Sequence, residues 1–374
     1  MLAIRNELRP SDLYCYFTAR FGVPNGLHNA LRNDNSDNLV HWDWTLKAQG
    51  GQVSFWGGNF RTDVLYVGEI SIGESFKQEL IDQVRADFKT HGKAMSEVRK
   101  RLEHWTEYVN PYWRLKRSVE QLQNDLSALD LDSRVGKSFH SPASLKGNAK
   151  QWKELASRYD KAFGLCFSLR LMLPVLGEAF VNLLIFILAH KDIRKDSRLY
   201  DAVVRQPIDL RIKSLHRNCS GFLFPVDDAH DSFRQYFSLI NQRNDLLHGN
   251  IVPDKESFNE VYFSGRVPIF EEYRSLWERT IEVDIRATGL TRIHDEIATI
   301  ELFTSYVISC LEPMTKDLVL TVLEKRHLGR NHEDGRLGVL FPDHLVDVCV
   351  DDLGEKRSGS SPARRKKAKP NQMH

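Results

Sequence analysis

Trp152–His190 reads WKELASRYDKAFGLCFSLRLMLPVLGEAFVNLLIFILAH, and how this stretch is taken decides the fold. From Leu171 to Ala189 it is apolar almost throughout and about as long as a bilayer is thick. Pro174, Gly177, Glu178 and Asn182 interrupt it, and a carboxylate and an amide near the middle of a span are costly in lipid. A helix buried inside a soluble bundle, bent near Pro174 and making no membrane contact, is therefore expected.

Toward the C-terminus, Ile208–His216 has the spacing of a shorter amphipathic helix, and Asp231–His248 that of a third, with Phe233, Phe237 and Ile240 as its inward stripe. Gly249 supplies the stop. Residues 250–283 hold Pro, Gly and mixed aromatics and read as an insertion with short extended pieces. Ala287–Leu311 places Ile293, Ile297, Ile300, Val307 and Leu311 on one helical face. The fold class expected is mainly α: an antiparallel bundle of four or five helices over 151–312, then a helical extension over 313–353. Residues 354–374 are too polar and charged to pack and read as a disordered basic tail.

Toward the N-terminus, 130–150 is rich in Ser, Lys, Gly and Asp and reads as a linker. Within 75–129, Leu80, Val84, Phe88, Val98, Leu102 and Trp105 recur at helical steps, with Pro111 expected to kink or split the segment. This segment attaches to a smaller β-rich or α+β unit, 1–74. There Val40, Trp42, Trp44 and Leu46 alternate with His41, Asp43, Thr45 and Lys47, as in a half-buried strand. Gly50-Gly51 offers a hairpin turn, Val53 and Phe55 resume the alternation, and Val64–Val67 suggests a third strand.

The chain of 374 residues has 52 basic and 50 acidic side chains, so no strong overall field draws it to nucleic acid or membrane. From Glu355 onward there are seven Lys/Arg against one acid, which leaves the preceding body at a net −4. The five cysteines show no CxxC pair and the N-terminus no continuous apolar segment, so reduced thiols and a cytoplasmic address are expected. The RNHEDGR and DDAH stretches lack a recognised metal spacing, and no phosphate-cradling glycine loop occurs, so neither metal nor cofactor is expected.

In the third bundle helix, the apolar stripe runs in phase to 244 and then to 247 and 248, yet 244 and 248 are Asn and His, and Arg243 borders the same face. A cation, an amide and a titratable imidazole are thus expected side by side. Read on spacing alone, Arg and His in a last turn also suit the helix C-terminal dipole, with glycine as the stop. The whole string Arg243–Gly249, RNDLLHG, resembles the RxxxxH signature of the HEPN superfamily in its common RNxxxH form. The likeness spans about 152–312 and includes the preceding long apolar helix.

That resemblance implies a metal-independent endoribonuclease with Arg243, Asn244 and His248 as catalytic residues. The 2′-hydroxyl attacks the adjacent phosphorus, His248 serves as base or acid, Arg243 grips phosphate oxygens and Asn244 orients either partner. It also implies a homodimer in which two signatures face one cleft, an RNA substrate, and a role as a toxin or antiviral defence effector. An antitoxin or other regulatory partner would then act through the N-terminal domain. A catalytically inactive module binding RNA, nucleotide or protein is the alternative. Glu178 and Asn182, four apart on one helix face, are expected to bond Arg243 or His248, or else simply to bond within the bundle. Asp245, about 100° further round, is expected at solvent or an interface.

Between Lys89 and Arg117, basic and aromatic residues interleave, and Arg99, Lys100, Arg101, Trp105, Tyr112 and Trp113 are candidate RNA contacts. Glu97, Glu103 and Glu107 dilute the charge, which favours an amphipathic helix with an inward aromatic stripe.

Overall fold

The computed structural model describes residues 1–31, 40–48, 50–69, 72–250 and 257–341; the expected basic tail lies outside them. The protein is mainly helical, with a small antiparallel sheet near its N-terminus. The chain divides into two compact units: Met1–Thr106 with Asn331–Arg336, and Glu107–Arg330 with the described residues from Leu337 on.

In the smaller unit, β1 (Leu2–Ile4), β2 (Trp42–Ala48), β3 (Gly51–Gly57) and β4 (Thr62–Gly68) form a sheet in the order β1-β4-β3-β2. Gly50, at φ 73°, makes the β2–β3 turn. The register sets Trp44 opposite Phe55 and Phe55 opposite Val64, a row of buried side chains across three strands. Helices α1 (Pro10–Phe21) and α3 (Glu74–Lys100) cover this row with Leu13, Phe17, Ile81 and Val84. Phe17 lies 4.5 Å from Phe55, ring centre to ring centre. The alternation of β2 departs from expectation at one position, because Asp43 is buried. The turn leading into the short α2 (Leu27–Leu31) folds over it, and its carboxylate accepts from the Asn29 amide at 2.5 Å and from the His28 N–H at 3.3 Å.

The larger unit begins at Glu107, not after the 130–150 segment. Beyond α3 a strand, β5 (Trp105–Val109), interrupts the helical pattern expected over 75–129, and Pro111 opens α4 (Pro111–Ser127) instead of kinking a longer helix. Buried Asn110 caps α4, accepting from the Tyr112 and Trp113 N–H groups while its own amide donates to the Val322 and Lys325 carbonyls. Tyr112, Val119 and Leu126 then turn inward to pack α4 along α6 (Ala149–Leu188). Residues 130–150 are not a linker. They fold into α5 (Ser133–Lys137) and a 3₁₀ turn, and Phe139 joins Leu155, Tyr159, Trp277 and Ile281 in a small second core.

Helix α6 runs 40 residues with Pro174 inside it. It is the one helix among the described residues long and apolar enough to cross a membrane, and 61% of its most apolar window is buried within the fold. After α7 (Lys191–Lys195) and α8 (Ser197–Val204) come α9 (Ile208–Asn218) and α10 (Asp231–His248). Gly249, at φ 61°, closes α10 in the left-handed conformation. The buried row of α10 is Phe233, Tyr236, Leu239 and Ile240, with Phe237 only at its flank; the expected inward stripe is rotated accordingly.

The 250–283 region does contain extended pieces, a hairpin of β6 (Val261–Ser264) and β7 (Val267–Phe270), and then α11 (Leu276–Arg279). The helix expected over 287–311 is two, α12 (Ile281–Thr288) and α13 (Ile293–Ser309), because Gly289 at φ 68° ends the first. Of the expected extension over 313–353, the described residues to 341 are helical only in α14 (Pro313–Leu323), and the rest lies outside the described residues. A pair of short strands, β8 (His327–Asn331) and β9 (Leu337–Gly338), follows α14. The main core lies where α4, α9, α10, α13 and α14 meet α6.

Candidate functional site

Tyr236 sets how α10 lies on α6. Its ring is fully buried, stacks on Phe303 at 4.0 Å, and its hydroxyl donates to the Pro174 carbonyl at 3.0 Å. It lies against Gly177, where a side chain would leave it no room. Two turns further along, the same face of α10 brings Arg243 to Glu178, the residue after that glycine.

The Arg243 Nη1 donates to Glu178 Oε1 at 3.2 Å, while Nε and Nη2 both donate to Asn244 Oδ1, at 3.3 and 3.0 Å. Glu178 is shared, because Arg211 of α9 approaches its other oxygen at 3.7 Å. Arg211 also donates to Asn182 Oδ1 at 2.6 Å and to the Gln206 carbonyl at 2.8 Å. Beside this group Arg170 donates to Glu296 at 3.1 Å, to Gln242 at 2.7 Å and to the Thr288 carbonyl at 3.1 Å.

Three guanidiniums, with side chains 10–18% exposed, thus face two carboxylates, which leaves a net positive charge in a largely desolvated place. Burial pushes the Glu296 carboxyl above the usual glutamate range in spite of Arg170 and Arg292 nearby. The recess between Arg170, Leu239, Gln242, Arg243 and Glu296 is filled by these side chains themselves.

The expected cluster is therefore only partly assembled. Arg243, Asn244 and Glu178 come together, whereas Asn182 accepts from Arg211 and makes no hydrogen bond to Arg243 or His248. Asp245 accepts from Asn250 at 3.1 Å, just past the helix end. His248 is exposed and makes no hydrogen bond or ion pair with the described residues, and Leu247 beside it is 57% exposed. Arg243 and His248 do not sit side by side: five residues along a helix separate them by about 140° around the axis and about 7.5 Å along it. The last turn of α10 runs past the core, which is why the apolar stripe does not continue to 247 and 248.

The candidate RNA contacts fall in different units and mostly have other partners. Arg99 pairs with Asp12, Lys100 with Glu97 at 2.8 Å, and Trp105 donates to Glu103 at 2.8 Å. Arg101 is exposed. Tyr112 belongs to the core beside Phe180, so it offers no face to a base. Trp113 is flanked by the guanidiniums of Arg117 and Arg326.

Arg211, Arg170, Gln242 and Glu296 escaped sequence reasoning. Arg211 and Glu296 carried a legible signal, each being a charge set within an apolar helical row, Ile208-Ile212-Leu215 and Ile293-Ile297-Ile300. Among the described residues no group of three or more His, Cys, Asp or Glu side chains could hold a metal ion. Compared with protein-family models, with curated proteins and with solved structures, the chain matches none.

Proposed function

We propose that the chain is an endoribonuclease of the HEPN type, needing no metal, whose active centre is composed from the α10 ends of two copies and which acts as a toxin or antiviral effector. The observation that carries this reading is the exposed imidazole of His248, without a partner among the described residues, one and a half turns beyond an arginine held in place by Glu178 and Asn244. Two of the five N–H donors of Arg243 remain uncommitted by these bonds and match the oxygens of a phosphodiester.

The 2′-hydroxyl gives its proton to one imidazole as its oxygen attacks phosphorus. The bond to the 5′-oxygen breaks, and that oxygen takes a proton from the imidazolium of the second copy. A 2′,3′-cyclic phosphate and a 5′-hydroxyl result. Two copies are needed because the separation of Arg243 and His248 along α10 keeps one chain from surrounding a phosphate alone. Leu247, exposed beside His248, suits an apolar contact between such ends.

The test is to incubate purified protein with mixed RNAs in EDTA and to analyse the product ends. Cyclic-phosphate termini are expected, with cleavage lowered about 10²–10⁴-fold by His248→Ala. The melting temperature should not move, because the side chain is exposed. Metal-dependent cutting, or wild-type activity in His248→Ala, refutes the reading. The pairing of Arg243 with Glu178 and the filled recess beside it favour a second reading, a module that binds RNA without cutting it. RNA binding weakened by Arg243→Ala with no cleavage by any preparation selects it.

A further inference from the structure

A second recess in the larger unit lies away from this chemistry and does not depend on it. Its wall is Trp277, 1% exposed, which meets Tyr159 edge-on at 5.3 Å and packs against Gly136 so closely that a Cβ there would fall 1.9 Å from the indole. The Leu276 N–H donates to the His140 carbonyl at 3.0 Å, and buried Phe139 anchors the strand of chain just before it. Lys137–His140 and Tyr273–Glu282 are thereby fixed around an open space of about 590 Å³. That falls inside the ~300–1,000 Å³ range of small-molecule sites.

The lining divides by chemistry. Lys137, His140 and Arg274 contribute nitrogen donors, Tyr273 presents a fully exposed ring, and Glu282 offers a carboxylate. Glu278 is already engaged, accepting from the Ser275 N–H at 2.6 Å in a capping box that starts α11. The Nε of Arg274 is shielded from solvent and finds no acceptor among the described residues. The guanidinium makes no hydrogen bond or ion pair with the described residues, so the anionic oxygens of a ligand in the recess would be the first partners of its remaining N–H groups.

We propose that this recess binds a ribonucleoside monophosphate, its phosphate on Arg274, Lys137 and His140 and its base stacked on Tyr273. Glu282 accepts from the ribose hydroxyls. The cations alone would suit bare phosphate, but the volume and the exposed ring call for an anion that carries a planar group.

Calorimetric titration of the full chain with AMP, GMP, CMP and UMP tests this, with inorganic phosphate and adenosine as separate arms. At least one monophosphate should bind about tenfold more tightly than phosphate or its nucleoside. Arg274→Gln and Tyr273→Ala should each weaken it about tenfold, while Tyr273→Phe retains it. Melting curves confirm the fold of each variant, and Lys137→Ala replaces Arg274→Gln should the latter be unfolded. Heat from none of the four nucleotides, phosphate binding as tightly as AMP, or affinities indifferent to Arg274→Gln and Tyr273→Ala would each overturn the assignment.

Discussion

Gly177→Ala puts helix propensity and packing in direct opposition. Propensity alone favours alanine within a helix by about 1 kcal/mol. At this position the new Cβ would fall 2.4 Å from Cε2 of Tyr236, 2.7 Å from Cζ and 2.8 Å from the hydroxyl oxygen. The ring would have to retreat by about 1 Å to reach ordinary contact. It has nowhere to go, because Phe303 stacks behind it at 4.0 Å and its hydroxyl is tied to the Pro174 carbonyl at 3.0 Å. Overpacking costs ~1–3 kcal/mol, and leaving a buried carbonyl and hydroxyl unpaired costs ~1–3 kcal/mol.

Set against the propensity gain, the net is a destabilisation of ~1–5 kcal/mol, or a fall in melting temperature of ~2–20 °C for a unit of this size. Scanning calorimetry measures it. Tyr236→Leu in the Gly177→Ala background should cost less than the two changes summed, which isolates the contact. A melting temperature unchanged or raised by Gly177→Ala would refute the packing argument.

Two further outcomes follow from buried titratable groups. Folding raises the Glu296 carboxyl, so the native state holds this proton more tightly than the unfolded chain does. Its contribution is complete below the ordinary glutamate range and is lost as pH climbs through the folded value. Chemical denaturation at a series of pH values should therefore show Glu296→Gln gaining stability relative to the parent as pH rises through that window; a relative loss would contradict it. Burial pushes the thiol of Cys166 up to about 11 and that of Cys219 up to about 12. Mass spectrometry after iodoacetamide treatment at pH 8 should find both unmodified until denaturant is added, and rapid native labelling of either would show the core to be open there.

Helices with a strong apolar period could be read from the chain, as α6 and α10 show, the latter ending at the glycine that its sequence marks as a stop. Local pattern was silent wherever a distant segment decided the outcome. Asp43 looks outward by alternation and is covered by the turn at Gly26–Asn29. The polar 130–150 stretch resembles a tether, yet Gly136 and Phe139 dock onto Trp277, a residue far away in sequence. Arg243 could be singled out beforehand because it stands in a short motif. That Glu178 would be divided between it and Arg211 could not, since the second arginine arrives on another helix. The exposure of His248 follows from where the core ends, and no periodicity carries that information.

Helix α6 enters both hydrophobic clusters of the larger unit, contributing Leu155 and Tyr159 to one and a run of side chains from Ala162 onward to the other. A backbone shared in this way couples the fates of the two clusters: melting one frays the helix on which the other packs. The unit should behave as one cooperative block, and weakening the Trp277 region will be felt as a loss for the whole.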